Sequence, residues 1–178
     1  MLLVVTGGAR SGKSSLALTR AEASGGDVVF IATCPRIDGD QELAERIDAH
    51  QAERPAHWRT IEAEHDLVEA LAQADDRATV VVDCLTLWVN NLLFRGDGPE
   101  AIEAECRTAI EGVAARSGDT IAVTNEVGLG IVPIDPETRR YRDMLGRVNQ
   151  LWIDAADHAL FLMAGRALSL RHPDELLP

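Results

Sequence analysis

Basic side chains are scarce in this sequence. Lys and Arg number 17 against 29 Asp and Glu, a formal charge of −12 at pH 7. Sequence-independent nucleic-acid binding needs a basic footprint, so no nucleic-acid partner is expected. Apolar runs of membrane length are missing too, so no membrane span is expected. The first residues run straight into an apolar segment, without the charged n-region and core of a secretory leader. Cysteine is limited to Cys34, Cys84 and Cys106, an odd number with no C-x-x-C spacing. That pattern excludes a disulfide framework and a Cys-based zinc site, and a reducing cytoplasm is the simplest setting. Internal repeats and low-complexity segments are absent. The one linker-like piece, Arg95-Gly96-Asp97-Gly98-Pro99, is too short to divide domains and is expected to join two helices. One nucleotide-binding catalytic domain over residues 1–178, with a substantial core, is the expectation.

Continuous apolar runs recur at 2–6, 28–32, 79–82, 120–124 and 159–163. They do not alternate, which is the pattern of strands buried on both faces of a parallel sheet. Helix-forming stretches separate them at 13–24, 41–53, 66–74, 99–116 and 139–155, with a further short one at 85–94. The alternation predicts an α/β fold, a mostly parallel sheet flanked by helices. In open sheets of this kind ligands sit beyond the carboxyl ends of the strands, so chemistry is sought there.

The first strand end carries the clearest motif. Gly7-Gly8-Ala9-Arg10-Ser11-Gly12-Lys13-Ser14 fits G-x-x-x-x-G-K-[ST], placed between an apolar strand and a helix-forming run. Gly7 and Gly12 can adopt backbone angles that let the loop curl around a phosphate. Its N–H groups form an anion nest, and the helix that follows adds the positive end of its dipole. Lys13 can reach the β- and γ-phosphates, and the Ser14 hydroxyl suits an Mg²⁺ shell. The loop identifies a P-loop nucleotide site without saying what is done there.

Three other segments are candidates. Val80-Val81-Val82-Asp83 is an apolar strand ending in a carboxylate, placed to help hold Mg²⁺; Asp83 equally suits an N-cap for the next helix. Residues 125–133 begin with Asn125 and Glu126 and continue through Val127, Leu129, Ile131 and Val132. Such an apolar loop reads either as the wall of a pocket for a large ligand or as a turn with a solvated Glu. Arg46, His50 and Arg54 stand at i, i+4 and i+8, a spacing that puts them on one helix face before Pro55 ends the helix. A neutral imidazole there is a nucleophile beside two phosphate-binding guanidiniums; a solvated charged face, with Asp48 and Glu53, has the same spacing.

Together these residues resemble the bifunctional adenosylcobinamide kinase / adenosylcobinamide-phosphate guanylyltransferase family of cobalamin biosynthesis. The resemblance runs from about Leu2 to Met163. It is carried by Thr6 through Ser14, by Ile31-Ala32-Thr33, by Arg46-Ile47 with His50, and by Arg54-Pro55-Ala56-His57-Trp58-Arg59-Thr60 with Glu62. It continues in Thr124-Asn125-Glu126-Val127-Gly128-Leu129-Gly130-Ile131-Val132-Pro133 and Gly146-Arg147-Val148-Asn149-Gln150. Where some members carry adjacent histidines, this chain has Ala49 before His50.

The resemblance implies a RecA-like P-loop fold, assembly as a trimer, and two reactions. ATP or GTP phosphorylates adenosylcobinamide. GMP then passes from GTP to adenosylcobinamide phosphate through a GMP–histidine intermediate, giving adenosylcobinamide-GDP. It implies catalytic roles for His50 and Lys13 and nucleotide contacts at Gly7 through Ser14, Ala32, Thr33, Cys34, Gln51, Ala52, Glu53, Arg54, Glu62 and Asp83. Guanine recognition falls to Thr33 or Glu62, the corrinoid substrate to Arg46, Asn125 and Glu126, and Mg²⁺ to Ser14 and Asp83. A P-loop kinase of small metabolites without a covalent step would need only the loop, Asp83 and an acceptor pocket; a nucleotide-dependent switch would need the loop alone.

Overall fold

Continuous apolar runs form strands here because both their faces are covered. In this computed structural model, which describes residues 1–37 and 39–177 without the side chain of Arg46, the strands make one sheet. They are β1 (Leu2–Gly7), β2 (Val28–Ala32), β3 (Arg59–Glu62), β4 (Thr79–Asp83), β5 (Thr120–Val123), β6 (His158–Met163) and β7 (Arg166–Leu170). Their order is β3-β2-β4-β5-β1-β6-β7. All pair in parallel except β7, which returns antiparallel along β6. The helices are α1 (Lys13–Glu22), α2 (Gln41–Ala52), α3 (Leu67–Gln73), α4 (Leu85–Arg95), α5 (Pro99–Ala114) and α6 (Pro136–Asp154). A 3-10 turn, Pro173–Glu175, follows β7. No described helix is long and apolar enough to cross a membrane.

Alternate strand residues face opposite sides. Val4, Ile31, Val80, Val82 and Ala122 pack against Leu67, Trp88, Ile102, Leu145 and Trp152, which project from α3 to α6. Leu3, Val5, Phe30, Val81 and Val123 face the other side, with Ala17 and Ala21 of α1 and with Trp58. Each fully buried Leu, Ile or Val contributes about 1.5–3 kcal/mol. The second layer is thinner, and none of the described residues of α2 is buried. That leaves space between α2 and the carboxyl ends of the strands.

Three elements differ from expectation. The strand β3 has an exposed polar sequence, Arg-Thr-Ile-Glu, at the sheet edge, and β7 is exposed throughout. Edge strands need no continuous apolar run, so neither carried the signal of the interior strands. The helix α6 starts at Pro136 rather than 139. Asp135 is its N-cap and accepts from the Thr138 N–H at 2.7 Å, with Pro136 at the first turn where its missing N–H costs nothing.

The register places the site. Val123 on β5 lies level with Val5 on β1 and with Asp83 on β4. The chain leaving β5 therefore runs between the loop after β1 and the carboxylate that ends β4.

Candidate active site

The phosphate loop leaves β1 at Gly7, whose φ is 145°. A Cβ there would run into the backbone carbonyl of Leu162 on β6. Gly12, with φ 99°, caps the start of α1. Hydrogen bonds brace the loop from both sides: the Gly165 N–H donates to Ser11 O at 3.1 Å and the Glu126 N–H to Gly7 O at 3.2 Å. Gly165 belongs to the two-residue turn joining β6 to β7, where Ala164 and Gly165 both have positive φ, as tight hairpins require. Lys13 is buried and donates from Nζ to Gly8 O at 2.6 Å and to Ser11 Oγ at 3.4 Å. Burial of its ammonium lowers its pKa, against the influence of Cys84 and Asp83.

The carboxylate of Asp83 ends β4, half-buried beneath this loop. Burial raises its pKa; a hydrogen bond from Ser14 and the nearby His50, Arg54 and Lys13 oppose that shift. Asp83 does not cap the following helix. The N-cap position of α4 is Cys84, and no side chain makes a capping bond there. Burial pushes the Cys84 thiol up to about 12, so it stays protonated. Thr33 is wholly buried, and its hydroxyl is committed to Cys84: it accepts from the N–H at 2.8 Å and donates to the carbonyl at 2.7 Å. Thr33 therefore supports the backbone after Asp83 rather than facing a ligand. Asn91 on α4 holds the same region, donating to Thr33 O at 2.8 Å and Glu64 O at 2.9 Å.

On the other flank, α2 carries His50. Its Nδ1 lies 3.8 Å from Glu53 Oε2. The helix stops at Ala52, so Arg54 is past its end rather than on its face. Arg54 still turns inward. Its guanidinium stacks on Phe30, 3.6 Å from the ring centroid, and burial lowers its pKa against the charges of Asp83, Glu53 and Glu62. Arg36 ties α2 to the segment after β2, donating to Asp48 Oδ1 at 3.1 Å and Gln51 Oε1 at 3.3 Å.

Between these walls lies a cavity of about 610 Å³. It brings together Ala9, Arg10, Ser11, Gly12, Lys13 and Ser14 from the loop, with Asp83 and Asn125 from the neighbouring strand ends. Ala32, Cys34, His50, Gln51, Glu53, Arg54 and Glu62 line the opposite side. Gly7, Gly8, Thr33 and Ala52 are not part of its lining, and the side chain of Arg46 lies outside the described residues. Phe30 and Arg36 were not anticipated. Phe30 sits inside an apolar strand and gives no sequence signal. Arg36 could have been found from its place two residues beyond Cys34 at a strand end. In an acidic chain, Arg10, Lys13, Arg36 and Arg54 make this cavity locally basic, as a polyphosphate site requires.

The expected wall over residues 125–133 is only partly realised. Asn125 lines the cavity, while Glu126, Val127 and Gly128 line a separate groove of about 310 Å³ with Arg142, Arg147 and Asn149 of α6. Leu129, Ile131 and Val132 line neither and are exposed. Among the described residues, no group of three or more His, Cys, Asp or Glu side chains could by itself hold a metal ion.

A family model described as cobinamide kinase / cobinamide phosphate guanyltransferase matches residues 3–170. The chain belongs to this family. Among curated relatives, the bifunctional adenosylcobalamin biosynthesis protein CobP of Pseudomonas aeruginosa is 41% identical over 169 residues, covering 94% of this chain and 96% of its own. The bifunctional adenosylcobalamin biosynthesis protein CobU of Escherichia coli is 38% identical, over 96% of this chain and all of its own. Solved structures extend the likeness to the fold alone. An ATPase from the type III secretion system of pathogenic bacteria superposes with a TM-score of 0.55 at 12% identity, over 94% of this chain and 56% of that one. The RadB recombinase gives 0.50 at 16% identity, over 90% and 73%. The chain thus has a RecA-like P-loop fold.

The buried carboxylate makes a pH-dependent prediction. With its folded pKa above the reference value of 3.8, Asp83 binds its proton more tightly in the native state than in the unfolded one. Its contribution to stability is full below 3.8 and falls as pH rises through the folded pKa. Asp83→Asn removes that loss. In urea unfolding of the nucleotide-free protein, the variant should be more stable than wild type at pH 7, the gap closing as pH falls toward 4. A less stable variant at pH 7 would contradict the burial argument.

Proposed function

We propose that this chain phosphorylates adenosylcobinamide with ATP or GTP and then transfers GMP from GTP to the resulting phosphate, both at the cavity over the phosphate loop. The observation that carries this reading is the meeting, in one space, of that loop, Asp83 and His50. In the first reaction the hydroxyl oxygen of the aminopropanol arm bonds to the γ-phosphorus. The bond to the β–γ bridging oxygen breaks, the nucleoside diphosphate leaves and the hydroxyl proton is released. Loop N–H groups and Lys13 meet the charge that shifts onto the leaving group. Ser14 and Asp83, adjacent hard oxygen donors linked by a hydrogen bond, fit an Mg²⁺ shell that phosphates and water complete. Bound there, Mg²⁺ would neutralise phosphate charge.

In the second reaction a His50 ring nitrogen attacks the α-phosphorus. The α–β bridging bond breaks, pyrophosphate leaves into the same loop, and a phosphoramidate joins GMP to the histidine. Glu53 Oε2 lies 3.8 Å from Nδ1, beyond hydrogen-bond reach, so either ring nitrogen is free to be the attacking atom. An oxygen of adenosylcobinamide phosphate then attacks the α-phosphorus, the P–N bond breaks and His50 is restored. His50 must approach the α-phosphate only in this second reaction. The thinly packed α2 is the element that brings it there. Glu62, at the end of β3, is positioned to accept from guanine N1–H and N2–H₂, which adenine lacks. Asn125 and Glu126 lie on the opposite flank, toward the acceptor; Arg46, on α2, is assigned to the same substrate from the resemblance alone.

Incubation with α-labelled GTP and Mg²⁺, followed by denaturation, tests the covalent step. Acid-labile, base-stable label is expected on wild type and none on His50→Ala; label persisting in that variant would place the nucleophile elsewhere. No label on wild type, with phosphorylation of adenosylcobinamide intact, would favour a kinase alone. Lys13→Ala should lower both activities by about a hundredfold or more, and full labelling without kinase activity would break the shared-site reading. Glu62→Gln should weaken the preference for GTP over ATP in competition; an unchanged preference would remove Glu62 from base recognition.

A further inference from the structure

Thr86, Thr124 and Asn149 come from α4, the end of β5 and α6. They are 6%, 0% and 5% exposed. Polar side chains this deeply buried are costly unless every group is partnered. Their partners form a closed ring. The Asn125 N–H donates to Thr86 Oγ1 at 2.7 Å. Thr86 and Thr124 hydroxyl oxygens are 3.4 Å apart. Thr124 donates to Asn149 Oδ1 at 2.6 Å, and Asn149 Nδ2 donates to the Asn125 carbonyl at 3.0 Å. A carbonyl only accepts, so Nδ2 must face Asn125 and Oδ1 must face Thr124. The Thr124 proton is then engaged, so across the longer 3.4 Å hydroxyl pair Thr86 is the donor, while its hydroxyl also meets the Cys84 thiol. All four bonds run in one direction, each polarising the next.

The ring begins and ends on the backbone of Asn125. It fixes both the N–H and the carbonyl of Asn125, the residue beyond β5 that lines the nucleotide cavity, and Thr86 lines that cavity beside it. Glu126 N–H, bonded to Gly7 O, anchors the next residue to the phosphate loop. Asn125 is thereby set between the loop and Asp83, on the flank away from Glu62 and Arg54. With the base at Glu62, as proposed above, the last phosphate would point toward this flank.

We propose that Asn125 is an orienting group for γ-phosphoryl transfer and that Thr86, Thr124 and Asn149 are its positioning residues. This rests on the two-reaction reading above. The Asn125 carboxamide donates to a γ-phosphoryl oxygen while the acceptor oxygen bonds to phosphorus. The β–γ bridging bond breaks with its electron pair leaving on the nucleoside diphosphate, and the hydroxyl proton passes to water. Asn125 exchanges no proton. Attack by His50 on the α-phosphorus takes place on the other flank and builds charge at the α–β bridge, so it depends on Asn125 less.

The two half-reactions therefore separate the role. Asn125→Ala should lower kinase kcat about a hundredfold, and the rate of protein labelling from α-labelled GTP by much less, about tenfold at most. Thr86→Val, which keeps the shape and loses the hydroxyl, should lower kinase kcat about tenfold or more, and Thr86→Ser should restore it. An unchanged kinase rate in Asn125→Ala would overturn the proposal. So would equal loss of kinase and labelling in Thr86→Val together with a lower Tm, the mark of a purely structural ring. Absence of label on wild type would count against the covalent step instead, and the kinase ratio of Thr86→Val to Thr86→Ser would still decide the ring's role.

Discussion

The phosphate loop leaves the sheet where there is no room for a side chain. Residue 7 must be glycine because β1 lies against β6 so closely that a Cβ would enter the Leu162 carbonyl. That contact fixes where the loop rises and, through it, where α1 begins. The β6–β7 hairpin holds one side of the loop through Gly165, and the chain after β5 holds the other through Glu126. Preorganised N–H groups are worth most when nothing has to move to aim them. The antiparallel edge strand, remote from the nucleotide in sequence, earns its place through that turn.

Parallel register supplies the rest of the geometry. Because β5 separates β1 from β4, Asp83 stands one strand away from the loop, and Asn125 lies between them. Two groups of opposite sign, the buried Lys13 and the half-buried Asp83, share this corner, and desolvation works against the charge of each. Such unfavourable placements are tolerated where a ligand's charge is to be met. On the proposed reading one polyphosphate cradle serves two sites of attack. An acceptor hydroxyl arriving from the Asn125 flank reaches the γ-phosphorus, and His50 arriving with α2 reaches the α-phosphorus.

Much of this was legible in the sequence, for physical reasons that differ by element. The interior strands showed as unbroken apolar runs because both their faces are covered. The phosphate loop showed because its glycines and Lys13 have few substitutes. The exposed strands β3 and β7 gave no such pattern. Asp135-Pro136 carries the signal for the start of α6, a cap followed by a first-turn proline, although the start was expected at 139. The inward turn of Arg54 beyond the end of α2 depends on Phe30, a contact no spacing rule contains. The resemblance offers Thr33 as a nucleotide contact; only tertiary structure shows its hydroxyl bonded to Cys84. Asn91 and the ring through Thr86, Thr124 and Asn149 are likewise invisible before the chain is folded.

The central claim is a single nucleotide site for both reactions. Equilibrium binding of labelled GTP to His50→Ala, which cannot form the covalent adduct, tests it most directly. One GTP per chain, displaced competitively by ATP and lost in the His50→Ala, Lys13→Ala double variant, is the expected result. Two GTP per chain, or a GTP that ATP does not displace, would contradict it.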